Sequence, residues 1–288
     1  MLRRVDAAML AMVVVWGVNF PIMKITLREM SPMVFNALRF SGATALLWAA
    51  VGAAGSSPPA PRAAWPGLIA LGLLGNAVYQ IAFIQGLVRT TADNSSLIFT
   101  MVPLFVAGLS LALRIDRVSP RTWVGIVLAF VGLFLLVSNP AGPHLSRATL
   151  AGDGLILLST LCWAAYTVFS RPFLRTMSPL QFTTLTMTAG TPVLILASLP
   201  ELVRQPWEMV SWASWAAVVF STLFPLSLGY IIWYASVQAI GGPRTAVYNN
   251  LVPMVTVVAS WVLLGETLGL LQAAGAAIVL AGVSLART

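Results

Sequence analysis

Asn76, Tyr79, Gln80 and Phe83 recur at steps of three and four, which puts all four on one face of a helix. Tyr230, Tyr234 and Gln238 make a second such face. Tyr79 and Phe83 meet Tyr230 and Tyr234 at a constant offset of 151 residues, so the aromatic face occurs twice. Aromatic walls carrying a few amides suit an amphipathic small molecule with an apolar side chain and a zwitterionic head. The same residues also serve to pack two helices together, and spacing alone leaves both readings open. Two further faces, Trp16, Asn19, Phe20 and Met23, and then Trp163, Tyr166, Thr167 and Ser170, pose the same choice.

Other residues bear on how such a site would work. Pro103 and Pro253 correspond at offset 150, and each removes one backbone donor and frees the carbonyl four residues back. Those carbonyls belong to Phe99 and Asn249, with Tyr248 beside the second. The prolines are expected to be a paired hinge or static kinks, and Phe99, Tyr248 and Asn249 are expected to face a cavity. Arg39 lies about two turns inside its helix, opposite the neutral Thr186 of the other half. It either attracts a substrate carboxylate or snorkels to the headgroups, the second being slightly preferred. Lys24 and Arg171 read as interfacial charges, and Asp116 and Glu266 as helix-terminal ones. No apolar run carries an acid near its middle, which argues against a carboxylate proton relay.

Covalent and metal chemistry lack their residues. The one histidine is His144, in a loop, and the one cysteine is Cys162, beside Trp163 in an apolar run. Neither has a partner by sequence for nucleophilic or metal catalysis, and no phosphate-binding loop is present. No cofactor and no metal are expected. The Asn94-Ser95-Ser96 glycosylation pattern is too short to carry weight.

The elements that hold these residues are hydrophobic helices. The chain is 59% hydrophobic and 8% charged, against about 25% charged in soluble domains. Its expected medium is the lipid bilayer, and its charge of +8 follows loop placement rather than nucleic acid. Ten runs are long enough to span, at 5–27, 33–54, 64–87, 93–113, 119–138, 151–172, 178–199, 209–238, 243–263 and 268–286. The chain also repeats itself. Residues 16–32 align with 163–179 at offset 147, and Gly125 and Gly132 meet Gly275 and Gly282 at offset 150. The fold class is therefore all-α membrane protein, with ten transmembrane helices in two five-helix repeats, 1–144 and 145–288. An odd number of spans per repeat makes the repeats inverted. With the N-terminus in the cytoplasm, ten of the 16 lysines and arginines fall on the inner side, so both termini are expected there. Small residues along helices 5 and 10 predict close packing, within one chain or in a dimer, so monomer and homodimer both stay open.

The closing stretch LLGETLGLLQAAGAAIVLAGVSL (263–285), the Trp-Gly-x-Asn-Phe of the first helix and the paired prolines resemble the EamA-type branch of the drug/metabolite transporter superfamily. The resemblance covers the whole chain. It implies a secondary transporter with alternating access around a central cavity. Within that branch the sequence is similar to bacterial inner-membrane exporters of amino acids, aromatic ones included. The expected partner is a small-molecule substrate, and the expected driving force is its own gradient without protons. The alternatives are an exporter of hydrophobic or cationic drugs and, in another class, a membrane-embedded enzyme.

Overall fold

Serine–proline pairs begin three of the helices, for a local reason. Proline lacks the N–H that a first helical turn leaves unpaired, and its fixed φ suits that turn. Ser119 and Ser178 add caps, their hydroxyls accepting from the Thr122 and Gln181 amides at 3.1 Å each. The computed structural model describes residues 2–55, 60–90, 95, 98–116, 118–137, 150–255 and 270–287. Asn94, His144, Glu266 and the last residues of the ninth predicted span lie outside the described residues.

The described chain is helical. In chain order it forms α1 (Leu2–Thr26), α2 (Pro32–Ala53), α3 (Arg62–Arg89), α4 (Val102–Ala112), α5 (Pro120–Val137), α6 (Leu150–Phe173), α7 (Pro179–Leu202), α8 (Trp212–Ile240), α9 (Gly242–Val247) and α10 (Leu270–Arg287). A 3-10 turn, Tyr248–Leu251, continues α9. Six of these helices, α1, α2, α3, α6, α7 and α8, are long and apolar enough to cross a membrane, and α4, α5 and α10 contain shorter apolar stretches. Polarity is inverted relative to a water-soluble protein. Val124, Val127, Phe134, Leu196 and Trp212 stand exposed, while Ser110, Thr160, Thr167, Thr183 and Thr186 are buried. Several of the buried hydroxyls return to their own helix, as Thr160 does to the Ile156 carbonyl and Thr186 to that of Phe182.

Contacts between the two halves come in reciprocal pairs. Trp16 touches its own equivalent Trp163, with ring centroids 5.8 Å apart. Thr44 hydrogen-bonds its equivalent Thr191 at 2.8 Å. Tyr79 meets Trp163 at 5.2 Å, and their equivalents Tyr230 and Trp16 meet at 6.5 Å. At the α5–α10 seam a Cβ on Gly125 would lie 2.5 Å from the Gly282 carbonyl, and one on Gly132 would lie 2.7 Å from that of Gly275. The small residues predicted to allow close packing thus serve an interface inside the chain.

Both long helices α3 and α8 are interrupted by a π turn, at Leu73–Val78 and Thr222–Leu228. Their last residues correspond at offset 150, one residue short of the offset that relates Tyr79 to Tyr230, and the second turn has 7 residues against 6. Each ends in an i→i−5 bond, from Tyr79 N–H to the Leu74 carbonyl and from Gly229 N–H to that of Phe224. Such turns free a carbonyl and often mark functional sites.

At the end of the bundle where α1 gives way to α2, polar loops tie the halves together. Gln205 accepts from the Ser31 amide at 2.8 Å and donates to the Glu29 carbonyl at 2.8 Å. Glu29 accepts from the Ser214 hydroxyl and from the Ser211 amide and hydroxyl at the start of α8. These bonds, that of Ser214 foremost, hold its carboxyl below the ordinary carboxylate range.

Candidate functional site

One cavity opens between the halves, with about 560 Å³ of empty space, its mouth included. α1 contributes Trp16, Asn19, Phe20 and Met23, α2 contributes Arg39, and α3 contributes Tyr79, Gln80 and Phe83 just past its π turn. Phe99, Trp163 of α6, Pro225, Leu226 and Tyr230 of α8, and Asn249 and Val252 complete the wall. The rings interlock: Trp163 lies 5.2 Å from both Tyr79 and Tyr230, and Phe20 lies 6.0 Å from Phe83.

Polar atoms are few and most are fixed. The Trp16 indole donates to the Pro225 carbonyl at 3.1 Å, a bond the α8 π turn makes possible. Asn19 accepts from Ser221 at 2.6 Å. Three buried polar atoms on the wall have no protein partner, the Trp163 indole nitrogen, the Tyr230 hydroxyl and Asn249 Oδ1.

Arg39 does not snorkel. Only 3% of it is exposed. Its Nε and one terminal nitrogen donate to Asn36 Oδ1 at 3.0 and 2.6 Å, and the latter also reaches Gln80 Oε1 at 2.9 Å. The Phe35 and Phe40 rings lie 4.8 and 5.8 Å from the guanidinium carbon. Amide oxygens and π faces thus replace the headgroup water that snorkelling would reach. Among the described residues Arg39 has no carboxylate partner, whereas Arg171 pairs with Asp116.

Five residues expected at the site do not line the cavity. Asn76 sits within the π turn, rotated off the Tyr79 face, and donates to the Tyr166 hydroxyl at 3.3 Å. Tyr166 in turn bonds Thr186 at 2.6 Å. Tyr234, one turn beyond Tyr230, packs at 5.1 Å from Tyr166 and 4.8 Å from Phe182. Gln238 donates to the carbonyls of Leu174 and Met177, in the turn that follows α6. Tyr248 donates to Asp6 at 2.5 Å. Tyr166, Phe182 and Tyr234 are fully buried and form an aromatic plug beneath the cavity, toward the end of the bundle where α6 gives way to α7. Pro225, Leu226 and Val252 were not singled out by the spacing argument; Pro225 inside an otherwise apolar run was the available signal.

The profile of the EamA-like transporter family matches residues 3–138 and 150–288. The chain belongs to the EamA-like transporter family. It is 30% identical to the uncharacterised transporter YyaM of Bacillus subtilis, over 93% of this chain and 88% of that one. It is 27% identical to a probable amino-acid metabolite efflux pump of Salmonella typhimurium, over 95% and 91%. A solved crystal structure superposes with a TM-score of 0.81 at 19% identity, covering 99% of this chain and 96% of that one, which establishes the fold. The chain is a multi-pass membrane transporter, and the enzyme alternative falls with that membership.

For an EamA-family transporter the far side of the plug matters as much as the cavity. There Arg171 pairs with Asp116 at 3.2 Å and donates to the carbonyls of Val237 and Gln238 at 2.7 and 2.6 Å. Asp116 also accepts from the Gly242 amide at 3.0 Å. The two charges expected at helix ends therefore latch α4, α6, α8 and α9 together. Pro103 occupies the first turn of α4, after a break at Thr100 and Met101, and Pro253 follows the 3-10 turn at Tyr248–Leu251. Each paired proline thus adjoins an irregular turn.

Proposed function

We propose that this EamA-family member is a bacterial inner-membrane exporter of neutral amino acids, aromatic ones included. It works by alternating access, with ten spans in two inverted five-helix repeats, 1–144 and 145–288. The observation that carries the substrate reading is the cavity itself, aromatic walls around a buried arginine. The arginine receives the carboxylate, and the rings receive the side chain. The name of the Salmonella relative supports the same direction. Cationic drugs are the poorer fit, because the cavity already holds a cation and no acid lines it among the described residues.

The reciprocal contacts support the inverted repeat, since each pair exchanges under a twofold axis lying between the halves. The bend points beside Pro103 and Pro253 supply its hinges. With both termini cytoplasmic, the cavity lies in the outer half of the bundle, and the plug and the Arg171–Asp116 latch seal the inner half. The structure then represents an outward-facing state. No acid lines the cavity among the described residues, so the substrate gradient alone is the driving force.

Counterflow of radiolabelled amino acids in proteoliposomes tests the reading. Phenylalanine and tryptophan are expected to exchange, equally with and without an imposed pH difference. If no neutral amino acid is carried, the substrate assignment fails. Tyr79→Ala is expected to slow tryptophan counterflow about tenfold at matched folded yield, since stacking of this kind is worth roughly 0.5–1.5 kcal/mol beyond area burial. Unchanged counterflow would make Tyr79 a packing residue only.

A further inference from the structure

The cavity offers three kinds of polar group that its own fold leaves unsatisfied, and each calls for a different partner. The first is the cation. Arg39 has five N–H donors in a fixed fork. Its partners are the neutral oxygens of Asn36 and Gln80, and its other terminal nitrogen has only the Met23 sulfur, at 3.7 Å. The amides hold the guanidinium in place without cancelling its charge. A carboxylate is the ligand group that does both, through short charge-assisted bonds.

The second and third groups are neutral. The Trp163 indole N–H is a buried donor without an acceptor, and Asn249 Oδ1 is a buried acceptor without a donor. Trp163 is 1% exposed and Asn249 is 3% exposed, so water does not relieve them from outside. The other amide oxygens on the wall are occupied, that of Asn19 by Ser221 and that of Gln80 by Arg39. The cavity therefore supplies one cation, one neutral donor, one neutral acceptor and, at Tyr230, a hydroxyl that can serve as either, but no negative charge. An ammonium group finds no carboxylate among these and must share a low-dielectric space with Arg39, which repels it.

A secondary amide matches what is left. Its N–H suits Asn249 Oδ1 and its C=O suits the Trp163 indole, with no second charge brought in. We infer that the cavity reads the carboxylate and not the free amine, and that its preferred ligands are N-acylated hydrophobic amino acids, carried as monoanions. The inference rests on the exporter reading above for the location of the site, and it moves the preferred substrate from the zwitterion to the acid whose amine is capped.

Binding to the purified full-length protein tests this, using four probes that share one ring. N-acetyl-L-tryptophan carries the carboxylate and the amide, L-tryptophan the carboxylate and an ammonium, N-acetyltryptophanamide the amide alone, and tryptamine the ammonium alone. N-acetyl-L-tryptophan is expected to bind at least about tenfold more tightly than L-tryptophan, the scale of one charge-assisted or buried hydrogen bond. The other two are expected not to bind at matched concentration. Arg39→Gln is expected to lose N-acetyl-L-tryptophan by about 30-fold or more, and Arg39→Lys to recover part of that. Because changes at Arg39 can also unfold the protein, Trp163→Phe provides a second readout. It keeps a six-membered ring and removes the N–H together with the pyrrole, and it should lower N-acetyl-L-tryptophan affinity by more than it lowers L-tryptophan affinity.

Tryptamine binding as tightly as the acids, or L-tryptophan outbinding its N-acetyl form, would overturn the inference. The two readings fail separately. Tryptophan counterflow without N-acetyl binding removes this inference and keeps the amino-acid exporter. N-acetyl binding without tryptophan counterflow does the reverse.

Discussion

Gly75→Val is expected to abolish recovery of folded protein, or to lower its unfolding temperature far more than any surface change. Gly75 sits in the α3 π turn, directly against the Tyr166 ring. A Cβ at that position would fall inside van der Waals contact with the ring's Cγ, Cδ1 and Cε1. The ring has nowhere to go. Its hydroxyl is fixed by Asn76 and Thr186, and its faces and edges meet Trp163, Phe182 and Tyr234. Overpacking a tight core costs typically about 1–3 kcal/mol, and here the clash is with the root of a ring held at both ends. Gly108→Val makes the matched control, since a Cβ there meets nothing within 4 Å. The measurement is the thermal unfolding profile followed by fluorescence-detected size exclusion. Equal profiles for the two variants would mean that Tyr166 yields readily and that the plug is loosely packed.

That glycine also marks where the sequence stopped being informative. The helix-starting serine–proline pairs and the small-residue seam are local or periodic, and both appear in the structure. Helical periodicity also brought Tyr79, Gln80 and Phe83 together correctly, because all three follow the π turn on regular α geometry. Asn76 was grouped with them by the same rule and is misdirected, because it lies inside the turn, where the 3.6-residue period does not hold. Depth is the other missing coordinate. Tyr230 and Tyr234 share a face of α8, yet one turn of rise separates a cavity wall from a sealed plug. Gln238, another turn on, reaches the carbonyls of the turn that follows α6. Arg39 was misjudged for a related reason. Its preference for headgroups assumed no internal acceptors, and Asn36 and Gln80 come from a neighbouring turn and a different helix, which pairwise spacing does not reveal.

The latch at the other end of the molecule carries the second large effect. Asp116→Ala removes the charge that Arg171 pairs with and the acceptor for the Gly242 amide, so α4 loses its tie to both α6 and α9. Arg171 keeps the Val237 and Gln238 carbonyls, but these belong to α8 alone. The pair is partly exposed, at 21% and 14%, so screening discounts its worth. One partly screened ion pair and one charge-assisted hydrogen bond together are worth about 1–2 kcal/mol, or roughly a 5- to 30-fold change in the closed-to-open ratio. Ser236 lies just beneath the latch, 2% exposed and bonded to Thr245, so it becomes reachable only when α8 and α9 part. In a Cys162→Ser background, a cysteine introduced by Ser236→Cys is expected to react with a maleimide about tenfold faster once Asp116 is alanine. Asp116→Asn, which keeps an acceptor for Gly242, is expected to fall between. The fully buried Thr160, replaced by cysteine in the same background, reports on general loosening and should stay slow. An unchanged rate at position 236 would mean that the aromatic plug alone holds this end shut, with Asp116 and Arg171 acting only as helix-terminal charges.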